Sequence, residues 1–234
     1  KLRKEVSHLF ERSGDKRFCE AVRTIRTNLL LTEASQPRQV LVITSTAPGE
    51  GKSSVSANLA FAMGQLHRVL LIDADLRRAT LDKAFDFKPG TPGLVNLIGG
   101  NAKLEECIHT VGNVDMIAAG AVPSNPLELL SSPRFAKLLE VVKGRYDRII
   151  IDSPPSQAVS DAAVLSTLAD AVIYVVKSDS TLIPHVQKGV SQLQNSNAPV
   201  TGVVLNYVDI EKAKKNGQFR GYYDHYGYSE PQTV

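Results

Sequence analysis

The sequence predicts an α/β fold, a doubly wound and mostly parallel sheet flanked by helices, and three observations carry that expectation. Short, continuously apolar, β-branched runs recur along the 234 residues. Segments with helical periodicity separate them. Polar turns bearing Gly, Lys and Asp close the carboxyl ends of several runs, where open parallel sheets place their ligands.

Taken in order, Lys16–Thr32 reads as an amphipathic helix with Val22, Ile25, Leu29 and Leu30 on one side, and Pro37 ends whatever precedes the first strand. Gln39–Ser45, Arg68–Asp73, Arg148–Asp152, Ala171–Val176 and Val200–Leu205 are the strand candidates, with Val114–Ala118 a weaker sixth. Unbroken apolar character, in place of alternation, marks strands covered on both faces. Between them Ser53–Leu66, Pro133–Lys143, Asp161–Leu168 and Pro184–Gln194 carry the helical period. Such alternation is the pattern of an α/β domain, here assigned to residues 1–209. Residues 210–234 are polar, Gly-punctuated and aromatic with no core period, and read as a flexible tail.

Composition narrows the class. A chain of this length can bury roughly 70–75% of its unfolded surface, and 43% hydrophobic with 22% charged residues is globular, excluding a fibre or a disordered chain. A net charge of +3, with Lys and Arg spread along the chain, offers no concentrated basic face, so no nucleic-acid partner is expected. Cys19 and Cys107 lie far apart without metal or redox spacing and read as free thiols of a reducing compartment. None of the five His has a recognisable metal-ligand partner, so no zinc site is expected. No apolar run reaches the ~18 residues that cross a bilayer, and no signal peptide is visible. The chain begins at Lys1 rather than Met, as a segment of a longer protein would.

The chemistry concentrates at strand ends. Thr44-Ser-Thr-Ala-Pro-Gly-Glu-Gly-Lys-Ser-Ser54 follows the first strand and opens a helix, which is the setting a phosphate-binding loop requires. Backbone N–H groups of such a turn and of the helix N-terminus face phosphate oxygens. Pro48, Gly49, Glu50, Gly51, Lys52, Ser53 and Ser54 are the expected nucleotide contacts, with Lys52 on the β- and γ-oxygens and the Ser53 hydroxyl on Mg²⁺. Thr46 replaces the first consensus glycine. Two more strands end in carboxylates, Asp73 and Asp75 on one and Asp152 on another. Converging there, they would need a cation or a phosphate-bound Mg²⁺, so Asp73, Asp152 and Ser53 are the expected Mg²⁺ ligands. The chemistry is that of ATP with Mg²⁺.

With these residues in place, the chain resembles the bacterial tyrosine kinases, P-loop tyrosine autokinases that regulate capsular and extracellular polysaccharide synthesis. The likeness rests on a Walker A loop (Ala47–Ser54), an Asp-x-Asp strand followed by Arg (Leu71–Arg78) and a Walker B strand (Ile149–Pro155). It extends to Glu20–Leu29, Ala119–Ser132 and Gly202–Asn206, and so covers nearly the whole chain. Partition and division-site ATPases, the nearest relatives, carry a second lysine early in the loop, where this chain has Ala47. Where the family usually reads Arg-Arg-Pro-x-Leu-His, this chain has Arg77-Arg-Ala-Thr-Leu-Asp82.

The resemblance implies a P-loop NTPase fold and an ATP-dependent tyrosine kinase that phosphorylates C-terminal tail tyrosines in trans within a ring-like homo-oligomer. Tyr222, Tyr223, Tyr226 and Tyr228 are four of the seven tyrosines and are the implied acceptors. Lys52, Asp73, Asp75 and Asp152 are the implied catalytic residues, with Asp73 or Asp75 as the base for a phenol of pKa near ~10. Arg77 would either assist the phosphates or pair locally, and Asn206 would either contact adenine or cap its strand. Spacing alone places Glu20, Arg23 and Arg26 near one helical face as an exposed ion-pair ladder; the resemblance assigns them to self-assembly. It further implies a transmembrane activator domain in cis or trans, a cognate tyrosine phosphatase, and a place at the cytoplasmic face of the inner membrane. The competing expectation is a nucleotide-dependent assembly switch without tyrosine transfer.

Overall fold

Alternate residues of each central strand point to opposite faces of the sheet, and both sets are apolar. The structure, a computed structural model, describes His8, Phe10, residues 15–32, residues 37–210 and Lys212. Strands β1 (Val40–Ser45), β2 (Val69–Asp73), β3 (Ile108–Val111), β4 (Val114–Ile117), β5 (Arg148–Asp152), β6 (Ala171–Lys177) and β7 (Val200–Asn206) form one sheet in the order β3-β4-β2-β5-β1-β6-β7. Every pairing is parallel except β3 with β4. Val40, Val42, Leu70, Ile72, Ile149 and Ile151 enter one core, and Leu41, Ile43, Val69, Leu71 and Ile150 enter the other. That is why the sequence shows continuous apolar runs.

Helices α1 (Lys16–Leu31) and α2 (Lys52–Gly64) cover one face. The other carries α4 (Leu94–Gly99), α6 (Pro126–Leu130), α7 (Pro133–Lys143), α8 (Asp161–Thr167) and α9 (Ile183–Asn195), with the short α3 (Leu81–Ala84) and α5 (Leu104–Cys107) in the connections. The Asp15 carboxylate caps α1, accepting from the N–H groups of Arg17 and Phe18. Its buried residues Cys19, Val22 and Leu29 pack over α2. α2 is therefore buried from Val55 to Met63, and it is built of small residues where backbones approach, Ser56, Ala57, Ala60 and Ala62 among them. A helix apolar on all sides is one with neighbours on all sides.

The strands expected from sequence all form, at nearly the expected bounds. The chain adds β3, which pairs antiparallel to β4 across the tight turn at Gly112 and Asn113. Its sequence, Ile-His-Thr-Val, is short and only half buried, so it carries too little apolar signal to be read alone. Short α3, α4, α5 and α6 were likewise below the length at which periodicity speaks. Cys19 and Cys107 are both buried and are not joined in a disulfide. No helix among the described residues is long and apolar enough to cross a membrane.

Where Tyr174 of β6 meets Gly189 of α9 there is no room for a side chain. The fully buried Tyr174 hydroxyl hydrogen-bonds Ser156 Oγ at 2.9 Å, and a Cβ placed on Gly189 would lie 2.0 Å from that hydroxyl. Ala in a helix ordinarily gains about 0.5–1 kcal/mol over Gly, but overpacking a rigid core costs about 1–3 kcal/mol. Gly189→Ala should therefore lower stability in urea unfolding. Adding Tyr174→Phe, which deletes the clashing oxygen, should restore part of the loss in a double-mutant cycle.

Candidate active site

The phosphate loop is shaped by two glycines and one buried glutamate. Gly49 and Gly51 stand at φ 86° and 90°, a left-handed backbone that favours glycine. Space forces the same choice at Gly51, where a Cβ would lie 2.1 Å from Asn206 Nδ2. Thr46, in place of the first consensus glycine, needs no positive φ, so its side chain is tolerated. Glu50 is 3% exposed and faces inward. Its Oε2 accepts the Ala47 N–H at 2.7 Å, while Oε1 accepts the Thr181 hydroxyl and, at 3.4 Å, the Lys177 N–H. Asn206 Nδ2 donates to the Glu50 carbonyl at 2.9 Å. Glu50 and Asn206, both expected at the nucleotide, thus have side chains engaged in bracing the loop against the ends of β6 and β7.

Sheet register brings the carboxylates together. Asp152 on β5 is level with Asp73 on β2 and with Ile43 on β1, directly before the loop. Lys52, the first residue of α2, reaches back so that Nζ lies 2.8 Å from Asp75 Oδ2, 3.7 Å from Asp152 Oδ2 and 3.2 Å from Ser53 Oγ. Burial opposes the Lys52 ammonium, yet Asp152 and Asp75 outweigh it and hold its pKa above the ordinary value. Burial pushes the Asp73 carboxyl well up, with the Asp152 charge adding to it. Asp152 is pushed up by burial too, against the pull of Lys52.

The three carboxylates differ in what their oxygens do. Asp73 is fully buried and accepts the N–H groups of Asp75 and Leu81, at 3.1 and 3.2 Å, so it closes the turn after β2. Asp75 accepts the Arg78 N–H on one oxygen and holds Lys52 with the other. Asp152 Oδ1 accepts the Ser56 hydroxyl at 3.1 Å, while its buried Oδ2 takes no hydrogen bond. That oxygen, which faces the Lys52 ammonium at 3.7 Å, fits Mg²⁺, a hard cation that takes one or two protein oxygens and completes its shell from phosphates and water. Among the described residues no three His, Cys, Asp or Glu side chains gather as a self-sufficient metal site.

A cavity of about 410 Å³ opens over these groups. Pro48, Gly49, Gly51, Lys52, Ser53 and Ser54 line its loop side. Asp75, Arg77, Arg78, Thr80 and Ala84 line the side after β2, with Pro154, Pro155, Ala158 and Val159 after β5 and Tyr207 after β7. Neither Asp73 nor Asp152 lines it. Arg77 forms a fork to the buried Asp161, Nε to Oδ2 at 2.8 Å and a second nitrogen to Oδ1 at 3.0 Å. It therefore pairs locally, and it ties the turn after β2 to the start of α8. Sequence reading missed Asp161, Thr181 and Tyr207, since each joins the site from a distant segment with no motif of its own.

The residues expected in self-assembly divide. Glu20 and Arg23 form a half-exposed pair at 3.2 Å, and Arg23 also lies over the Phe10 ring. Arg26 turns inward, donating at 2.7 Å to the Ala62 carbonyl near the end of α2 and at 3.1 Å to Gln65 Oε1. Tyr222, Tyr223, Tyr226 and Tyr228 lie outside the described residues.

A family model described as an AAA domain matches residues 38–203. EpsB of Ralstonia solanacearum is 38% identical over 230 residues, which is 94% of this chain and 30% of EpsB. The tyrosine-protein kinase YwqD of Bacillus subtilis is 36% identical over 203 residues, 86% of this chain and 85% of its own. The chain belongs to the bacterial tyrosine-protein kinase family. It spans about a third of the length of the EpsB relatives it matches. Among solved structures, the kinase domain of Escherichia coli tyrosine kinase ETK superposes with a TM-score of 0.81 at 34% identity, over 86% of this chain and 80% of that one. The septum site-determining protein MinD of Pyrococcus horikoshii, solved with Mg-ADP, follows at 0.60 and 27% identity, over 71% and 69%. Closer likeness to the kinase domain agrees with Ala47 in place of a second loop lysine.

Glu50→Ala would leave the Ala47 N–H and the Thr181 hydroxyl without their acceptor. Unmade buried hydrogen bonds cost about 1–3 kcal/mol. The variant should lose stability of that order in urea unfolding and bind ADP more weakly by calorimetry.

Proposed function

We propose that this chain is the catalytic domain of an ATP-dependent protein-tyrosine autokinase. The observation that carries the reading is Lys52 Nζ 2.8 Å from Asp75, inside a cavity walled by a phosphate loop. The phosphates lie along Gly49–Ser54, where N–H groups and the start of α2 supply positive potential. Lys52 exchanges its Asp75 contact for the β- and γ-oxygens, and Ser53 and Asp152 hold Mg²⁺. When bound, Mg²⁺ neutralises charge on the transferring phosphoryl group.

The acceptor phenol enters over Asp75. Its oxygen bonds to the γ-phosphorus as the bond to the β–γ bridging oxygen breaks, ADP departs, and the phenolic proton passes to the Asp75 carboxylate. Asp75 suits this role because it lines the cavity and is released when Lys52 turns to phosphate. Asp73 holds the turn from behind. Most of the acceleration then comes from positioning and charge stabilisation.

Acceptors are Tyr222, Tyr223, Tyr226 and Tyr228 of a neighbouring chain in a homo-oligomer, with Glu20 and Arg23 on the contact surface and Arg26 fixing α1 beneath it. In keeping with the family resemblance, the kinase acts in exopolysaccharide or capsule production beside a membrane-spanning activator, and a phosphatase resets the tail. Each phosphorylated tyrosine adds about −1.5 to −2 charge, which would loosen a ring held through its tails.

Incubation with Mg-ATP should yield phosphotyrosine, and chelating the metal should abolish it. Assembly driven by ATP with no phosphotyrosine would overturn the kinase reading. Lys52→Met should lower labelling at least about 100-fold, the scale of losing one preorganised charge contact. Asp75→Asn should slow labelling by about 10²–10⁴-fold while ADP still binds. A Lys52→Met chain mixed with an active chain lacking residues 210–234 should become labelled on its own tail; failure of that transfer would place phosphorylation within one chain.

A further inference from the structure

Tyr207 is the residue of the cavity wall that neither the phosphate chemistry nor the core explains. It follows Asn206 at the end of β7 and lines the same cavity as Lys52. Its backbone sits at φ 57°, a left-handed conformation in which an aromatic residue is strained. The ring is 55% exposed, so no burial repays that strain. Two contacts hold it. Its Cε2 lies over Gly51, where a Cβ would come within 3.1 Å, and Lys177 Nζ stands 5.4 Å from the ring centroid. A strained residue kept in place at a ligand cavity points to function.

The position of the ring within the cavity indicates what it meets. Asp75 and Asp152 mark the end of the site where the γ-phosphate is transferred, and Lys52 stands between them. Tyr207 stands instead against Gly51, on the side of the loop joined to the end of β7. The Asn206 amide, the other candidate there for reading a base, donates to the Glu50 carbonyl. That bond uses one amide hydrogen and leaves Asn206 able to meet the edge of a base, while the exposed Tyr207 ring gives the same wall a flat surface for its face.

We propose that Tyr207 is the platform on which the nucleotide base stacks, and that it sets affinity for the nucleoside part of the substrate separately from the phosphates. This rests on the nucleotide site described above. An aromatic side chain against a base contributes on the scale of about 1–3 kcal/mol, which is about 5- to 150-fold in affinity. The loop–phosphate contacts make no use of the ring, so a ligand without a base should not sense its loss.

The test is calorimetric titration of ADP and of inorganic tripolyphosphate, each with Mg²⁺, into the wild-type chain, Tyr207→Phe and Tyr207→Asn. Asn tolerates the left-handed backbone, so this variant removes the ring without adding strain. Expected are a 5- to 150-fold rise in the ADP dissociation constant for Tyr207→Asn, an unchanged tripolyphosphate constant, and Tyr207→Phe close to wild type for both. Equal ADP binding by Tyr207→Asn and wild type would overturn the platform. Equal weakening of ADP and tripolyphosphate would overturn it too, by showing that the ring acts only through loop shape. A wild-type chain that binds neither ligand would instead overturn the nucleotide site, and the platform with it.

Discussion

Lys52 holds its ammonium 2.8 Å from Asp75 and 3.7 Å from Asp152, almost out of contact with water. Asp73 lies behind them, fully buried. One cation among three carboxylates leaves a deficit of positive charge in a place where charge is poorly solvated. Burial first, and neighbouring carboxylates after it, raise the pKa of Asp73 and of Asp152. A divalent cation supplies the same charge in another form, and polyphosphate gives Lys52 a partner other than Asp75. The rest of the fold is arranged so that this cluster can exist. β2 and β5 end level with one another at Asp73 and Asp152, β1 runs two residues past that level, and glycines let the backbone turn from it into α2.

The supports of the cluster come from far away in sequence. Glu50 ties the loop to Thr181 and Lys177, Asn206 closes on the Glu50 carbonyl, and Ser156 joins β1 to the buried Tyr174. Arg77 and Asp161 clamp the turn after β2 to α8. Each support is a part-buried polar contact from a distant segment, and together they restrain the loop. On the opposite face, α1 completes the burial of α2, and Arg26 binds a carbonyl near the end of α2. The helix that carries Glu20, Arg23 and Arg26 is therefore packed directly against the helix that begins at Lys52.

Much of this was legible in the residues. Strands buried on both faces leave unbroken apolar runs, so the central strands and the long helices could be placed within a residue or two. The phosphate loop, Asp73, Asp75 and Asp152 were visible because the chemistry of phosphate and Mg²⁺ demands those residue types at strand ends. β3 was not visible, since four half-buried residues carry almost no periodic signal.

The residues alone carried the fold class, the candidate residues of the site and the membership of a family whose motifs run along nearly the whole chain. Tertiary structure alone decided how the candidates divide their labour. Asp73 closes a turn while Asp75 faces the cavity, Arg77 pairs with Asp161, Arg26 turns inward, and Tyr207 stands against Gly51. Apart from the Asp73 turn, whose partners lie 2 and 8 positions away, these assignments rest on hydrogen bonds and contacts between residues 23 to 156 positions apart or on the register of neighbouring strands. Local sequence specifies a backbone and a buried face. It does not specify which of two nearby carboxylates meets a lysine from another segment, because that depends on where the packed sheet brings the two together.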